Sequence, residues 1–147
     1  MQFYLMTVYM FSVAGYALLR GGQPERSVAL LLAGTSAIDF LYHLLFGAPR
    51  FDQVEAVHLV IDSGVLVVLL WIALHANRGW PLWTCSAQLI IMLGHVAKLM
   101  EVREVFRGYW AITQFPFLLQ LTVLLIGTMA HEARFRHVGP YHGWRAG

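Results

Sequence analysis

Five apolar stretches, separated by short polar segments, fill most of the chain, and each carries at most one formally charged residue. A helix rises about 1.5 Å per residue, so stretches of this length are suited to a hydrocarbon core of roughly 30 Å. The fourth stretch reaches residue 100 because Lys98 can extend its ammonium group to the interface. The pattern therefore predicts five transmembrane helices, over residues 3–19, 27–46, 57–75, 81–100 and 109–130.

Glycine and proline clusters mark the ends of these stretches, at Gly21-Gly22-Gln23-Pro24, Gly47-Ala48-Pro49 and Asn77-Arg78-Gly79-Trp80-Pro81. Such clusters favour turns. No loop exceeds about a dozen residues, so consecutive helices are expected to run antiparallel. We therefore predict an all-α integral membrane bundle that forms a single domain over residues 1–147, with a solvated tail from residue 131 that contains three histidines. Aromatic residues at the span ends are expected to anchor the helices at the headgroup level: Trp80, Trp83, Tyr109 and Trp110.

Composition supports the membrane assignment, because 59% of the 147 residues are hydrophobic, 12% are charged, and the mean hydropathy is +0.62. The lipid bilayer is thus the first expected partner. The net charge is only +2 and the basic residues are spread over several loops, so the sequence has no basic patch of the kind that binds nucleic acid. A single cysteine, Cys85, excludes an internal disulfide and a Cys-x-x-Cys metal motif.

The distribution of basic residues predicts an orientation in a bacterial inner membrane. Six of the ten lie on the side of the C-terminus and four on the other side, which favours a periplasmic N-terminus and a cytoplasmic C-terminus. The first stretch begins near Met1 without a basic segment before it, so we expect it to be retained as a helix.

Ionisable residues inside the apolar stretches are the main functional clue, because such groups are costly in a membrane. Antiparallel helices would bring the end of the second stretch, the start of the third and the end of the fourth to one side of the membrane. Spacings of three or four residues place side chains on one helix face. The predicted site contains three histidines and three carboxylates: Asp39, His43, Glu55, His58, Asp62 and His95.

This donor set suits zinc, copper, iron or manganese better than calcium or magnesium. Two other interpretations stay open. Histidine and aspartate can relay protons or other ions, and carboxylate–imidazole pairs can simply lock helices together. Haem b, ligated by two of His43, His58 and His95, ranks below a metal ion because the neighbouring aspartates make the pocket acidic.

Short motifs resemble those of known metal proteins over a few residues each. His58 and Asp62 have the His-x-x-x-Asp spacing of intramembrane zinc pairs in cation diffusion facilitators, and Asp39, His43 and His58 resemble a copper-ligand arrangement in membrane monooxygenases. Glu55 and His58 form one Glu-x-x-His motif, whereas di-iron bundles require two. The chain has no Gly-x-Ser-x-Gly elbow and no phosphate-binding glycine loop, so the sequence assigns no enzymatic reaction.

The C-terminal half resembles a group of short bacterial polytopic inner-membrane proteins with no assigned activity. The resemblance is carried by Arg78-Gly79-Trp80-Pro81-Leu82-Trp83, Gln88, His95, Tyr109-Trp110, Phe115-Pro116 and Gly127-Thr128. It implies a bacterial membrane protein and no particular chemistry. Our leading hypothesis is therefore an intramembrane histidine and carboxylate site that binds a transition metal or relays ions. The alternative is a non-catalytic accessory or assembly subunit, which would act as a homo-oligomer or within a larger membrane complex.

Overall fold

The computed structural model describes residues 2–47, 56–100 and 105–145, and these residues form five helices. The described residues form no β-strand, so the all-α prediction is confirmed. In chain order the helices are α1 (Gln2–Arg20), α2 (Gln23–Phe46), α3 (Ala56–His75), α4 (Trp80–Leu99) and α5 (Val105–Val138).

Helix α2 begins at Gln23, four residues before the predicted span, because its first turn tolerates proline and is capped. Pro24 lies in this first turn, where the backbone N–H that proline lacks would have no helical partner. Glu25 accepts a hydrogen bond from the Gly22 backbone N–H at 3.0 Å. The predicted breaker clusters at Gly22 and Gly79 each stand directly before a helix.

Helix α5 extends past the predicted span and ends at Val138. Pro116 lies inside it without ending it. Gly139 follows with a φ of +80° and donates its backbone N–H to the Phe135 carbonyl at 3.0 Å. Glycine adopts this left-handed conformation readily, which makes it the usual residue after a helix end. Residues 131–138, predicted to be tail, are therefore helical.

Consecutive helices pack on one another where both are described, and α5 also packs on α1 and α2. Helix α3 contacts α2 on one side and α4 on the other, and α2 and α4 meet at their N-terminal ends, where the Trp80 indole reaches Glu25. Small residues permit close helix approach. Ala17 and Ala29 in α1 and α2 are fully buried, next to the larger core residues Leu69, Ile72, Leu121 and Leu124.

Three described segments are long and apolar enough to cross a membrane: Gln23–Phe46, Val57–His75 and Gln114–Val138. The prediction of five such helices is thus confirmed for α2, α3 and α5. The described parts of α1 and α4 are not among these segments. In α4 the polar side chains point inward, since Thr84, Gln88 and His95 are all buried. Leu82, Trp83 and Leu93 are exposed on the same helix.

Trp80 was expected at the headgroup level, but its indole is inserted between helices. Its Nε1 donates to Glu25 Oε1 at 3.0 Å, and its ring lies against the backbone of Gly127 in α5. A Cβ added at Gly127 would lie 2.7 Å from Trp80 Cδ2. Trp83 is exposed, as an interfacial anchor requires, and the side chains of Tyr109 and Trp110 lie outside the described ones.

Replacing Gly127 with Ala should destabilise the bundle, because the bond to Glu25 prevents the Trp80 ring from moving aside. Overpacking of this kind costs about 1–3 kcal/mol. The measurement is the thermal unfolding temperature of the protein in detergent.

Gly64→Ala is the matched control, since nothing lies within 4 Å of its added Cβ. It should leave the unfolding temperature unchanged or raise it, because alanine favours helix over glycine. Equal effects of both changes would contradict the close packing of α4 on α5.

Candidate functional site

Asp39, His43 and His58 converge where the end of α2 meets the start of α3. His58 Nε2 lies 2.7 Å from Asp39 Oδ1, and His43 Nε2 lies 3.5 Å from the same oxygen. The spacing of four residues places Asp39 and His43 on one face of α2, as predicted. One potential ligand atom from each residue lies within 4.8 Å of the other two. We call these three residues the triad.

The position of His43 Nδ1 fixes which nitrogen can act as a ligand. This atom lies 3.0 Å from the carbonyl oxygen of Gly47. A carbonyl only accepts, so Nδ1 carries a proton and donates it. In the neutral ring Nε2 then bears the lone pair, and this is the nitrogen that faces Asp39. A histidine that ligates a metal usually donates its other ring N–H to a carbonyl or carboxylate in this way.

Ring packing restricts the orientation of both imidazoles. The rings of His43 and His58 stack with centroids 5.1 Å apart and an interplanar angle of 20°. The Tyr42 ring is perpendicular to that of His58, at a centroid distance of 5.6 Å. Haem b needs imidazoles on opposite faces of a porphyrin, which stacked rings do not provide. The triad therefore suits a small ion rather than haem.

The carboxylate is the most exposed part of the triad. The Asp39 side chain is 48% exposed, whereas the side chains of His43 and His58 are 18% and 24% exposed. A tetrahedral metal with bonds of about 2.0–2.2 Å holds its ligand atoms roughly 3.4 Å apart. Small side-chain rotations would bring the triad to that geometry. Its open side would leave further coordination positions for water or another ligand.

Asp62 and His95 lie outside the triad and form a separate pair between α3 and α4. His95 Nε2 lies 2.8 Å from Asp62 Oδ2, and Gln88 Nε2 donates to Asp62 Oδ1 at 3.0 Å. Both carboxylate oxygens are therefore occupied. At this end of the bundle α3 lies between α2 and α4, so His58 contacts α2 and Asp62 contacts α4. Glu55, the sixth residue of the predicted site, lies outside the described residues.

The Asp62 pair continues into a buried polar network that reaches α5. Gln120 Nε2 donates to Gln88 Oε1 at 2.8 Å and approaches the Thr84 carbonyl at 3.3 Å. Thr84 and Gln120 are fully buried. Sequence reasoning did not identify Gln120 or Thr84 as partners of the site. The available signal was the spacing of Trp80, Thr84 and Gln88, which places polar groups on one face of α4 at intervals of four residues.

A second polar cluster, also absent from the predictions, lies at the opposite end of α4. Glu25 is fully buried and forms an ion pair with Arg78, whose side chain is 7% exposed. Glu25 also accepts from Trp80 Nε1 and the Gly22 backbone N–H. With three donors directed at one carboxylate, this cluster is built to hold helices rather than a ligand. Removal of one partner of such a buried pair typically costs about 3–5 kcal/mol.

His131 belongs to this cluster, although it was predicted to lie in a solvated tail. Its Nδ1 lies 3.0 Å from Arg78 Nη2 and 2.7 Å from the Tyr141 hydroxyl. His137 and His142 are exposed, as the tail prediction expected. The difference arises because α5 continues past residue 130 and carries His131 along the bundle to Arg78.

Comparison with known proteins adds no family or function: no protein-family model, curated protein or solved structure shows significant similarity to the chain.

A double-mutant cycle should show that Asp62 and His95 are energetically coupled. Asp62→Leu and His95→Leu should each lower the free energy of unfolding by about 1–3 kcal/mol, because each leaves a polar partner unpaired. The double variant should lose less than the sum of the two, by about 0.5–3 kcal/mol. The measurement is denaturant-induced unfolding in mixed micelles.

Asp62→Leu combined with His75→Leu is the control pair, since thirteen residues of α3, or roughly 20 Å, separate these positions. Their effects should add to within about 0.5 kcal/mol. Additive effects for Asp62 and His95 as well would show that the pair does not connect α3 to α4.

Proposed function

We propose that this protein is a membrane protein that binds one divalent transition-metal ion through Asp39, His43 and His58. The observation that carries the proposal is that two imidazole Nε2 atoms face a single oxygen of Asp39. A pair that only neutralised charge would need one histidine. The second imidazole, with its Nδ1 proton held by Gly47, is explained by a site for a cation.

Two nitrogen donors and one carboxylate oxygen define the chemical class of the ion. Imidazole suits zinc, copper, iron and related ions, whereas calcium and magnesium prefer sites made of oxygen atoms. Three protein ligands with open positions resemble exchangeable or catalytic sites more than closed structural sites. The half-exposed Asp39 favours an ion that enters and leaves from the open side of the triad.

Zinc titration of the purified protein should give one binding site per chain. His58→Ala and His43→Ala should each weaken zinc binding at least about tenfold, since even second-shell changes typically cost 10–100-fold. Asp39→Asn keeps the size of the side chain but removes its charge, and it should also weaken zinc binding. Isothermal titration calorimetry in detergent measures affinity and stoichiometry, using protein purified without a polyhistidine tag.

His75→Ala is the matched control, because His75 is an exposed histidine on the same helix as His58, and it should leave zinc affinity unchanged. Unfolding temperatures measured without metal separate loss of binding from loss of fold. If the folded parent does not bind zinc, copper, iron or manganese, or binds them equally well without His43 and His58, the metal proposal fails. The histidine and aspartate pairs would then serve to lock helices, as in an accessory subunit.

We further propose that all five helices cross the bacterial inner membrane. Two sets of contacts support this for α1 and α4, which are not among the three long apolar segments. The Asn77 backbone N–H, just before α4, donates to the Gly143 carbonyl, just after α5, so these ends lie together. Helix α1 lies beside α5 over much of its length, with the Tyr9 hydroxyl near Thr122 and the Tyr16 hydroxyl bonded to Glu132. If α5 crosses, α4 and α1 cross with it.

Reporter fusions distinguish the five-span arrangement from one in which only α2, α3 and α5 cross. We expect cytoplasmic reporters to be active after residues 77 and 145, and a periplasmic reporter to be active after residue 100. A three-span protein would instead place residues 77 and 100 in one compartment and residue 145 in the other. The basic-residue distribution supports the sidedness. Reversal of all three signals would overturn the orientation and keep the five spans.

A further inference from the structure

The last described segment of the chain, residues 139–145, folds back onto the bundle, and we call it the C-terminal strap. Helix α5 ends at Val138, and the positive φ of Gly139 reverses the direction of the chain. Pro140 follows and cannot continue a helix. The strap then runs across the loop that joins α3 to α4.

Backbone and aromatic contacts hold the end of the strap. The Asn77 N–H donates to the Gly143 carbonyl at 3.0 Å, and the Arg145 N–H donates to the His75 carbonyl at 2.8 Å. The indole of Trp144 lies 5.5 Å from that of Trp71 in α3. These contacts have no titratable donor or acceptor, because backbone groups and indole rings keep their protonation state at physiological pH.

Tyr141 connects the strap to the buried polar cluster, and this connection depends on His131. The Tyr141 hydroxyl lies 2.7 Å from His131 Nδ1, and its ring lies beneath the Arg78 guanidinium at 5.2 Å from the centroid. Arg134 lies near the same ring at 5.5 Å. Tyr141 thus adds contacts from the strap to α5 and to the α3–α4 loop.

The protonation state of His131 follows from its partners. Arg78 carries only donors and points Nη2 at His131 Nδ1 from 3.0 Å. Nδ1 must therefore accept, which requires a neutral ring with its proton on Nε2. A proton on Nδ1 would face an N–H of Arg78 and place two cations 3.0 Å apart, beside the Tyr141 ring that packs under the same guanidinium. The contact with Arg78 therefore favours neutral His131.

The other charged groups around His131 do not supply a replacement acceptor. Glu25 is already bonded to Arg78, Trp80 and the Gly22 backbone N–H. Glu132 is bonded to Tyr16 and Arg136. Arg26 also acts on His131 and adds positive charge. Protonation of His131 would therefore leave a cation between arginines, with both nearby carboxylates committed elsewhere.

We propose that the C-terminal strap is a pH-responsive closure, held on the bundle while His131 is neutral and released when His131 is protonated. Histidine is the side chain that normally changes charge between about pH 5 and pH 8, so acidification within this range is the expected trigger. Release would uncover the α3–α4 loop and the Trp71 surface. This inference concerns the opposite end of the bundle from the triad and does not depend on metal binding.

Distance measurement between two spin labels tests this closure in the full-length protein. The labels are placed at His142→Cys in the strap and Leu19→Cys at the end of α1, both exposed positions. The background carries Cys85→Ala, which removes the native cysteine. Double electron–electron resonance should give one narrow distance distribution at about pH 8. At about pH 5 it should become broad and shift to longer distances.

Two substitutions at His131 test whether its protonation causes the release of the strap. Gln keeps a polar side chain that can accept from Arg78 without titrating, so His131→Gln should give a narrow distribution at both pH values. His131→Lys places a permanent cation there and should give a broad distribution at both. His137→Gln, which removes an exposed histidine on the same helix, should keep the response of the parent. A parent that does not respond, or a response that persists in His131→Gln, would overturn the proposal even if the Lys variant fails to fold.

Discussion

The buried ion pair between Glu25 and Arg78 organises one end of the bundle. Glu25 lies in the first turn of α2 and also accepts from the turn before it, while Arg78 lies in the loop before α4 and also contacts His131 of α5. Charges in such surroundings are stable only when their hydrogen-bonding capacity is filled by the protein. The cluster therefore specifies how four segments meet, because any other arrangement would leave a charge without its partner.

Helix α3 organises the other end of the bundle. There it lies between α2 and α4 and presents ionisable groups to both. The two resulting sites differ in chemistry. Around Asp62 each carboxylate oxygen has a protein partner, and the network continues to Gln120 inside the bundle. Around Asp39 two imidazoles share one oxygen and the carboxylate is half exposed. The Asp62 carboxylate has its partners within the protein, whereas the half-exposed Asp39 carboxylate and its two imidazoles have the composition of a cation site.

Part of this architecture was predictable from local sequence, because it depends on local physics. The apolar stretches predicted that α2, α3 and α5 are long and apolar enough to span, the glycine and proline clusters marked the boundaries before α2 and α4 to within about four residues, and the four-residue spacing predicted that Asp39 and His43 share a face. The partners of Asp62, Glu25 and His131 depend on which helices are neighbours, and periodicity does not contain that information. One local signal was missed: Gly139-Pro140 marks the end of α5 and the reversal that places Tyr141 beside Arg78.

In the five-span arrangement proposed above, the inward polar face of α4 bears on how the chain enters the membrane. A lone helix exposing Thr84, Gln88 and His95 to lipid would partition poorly, because each polar group at mid-bilayer adds to the cost of insertion. Asp62 gives α3 the same difficulty. When the two helices enter as a hairpin, Asp62 is covered by Gln88 and His95 and all three polar groups leave the lipid together. The pairing therefore favours joint insertion of α3 and α4, so that the unit handled by the insertion machinery is the hairpin rather than the single helix.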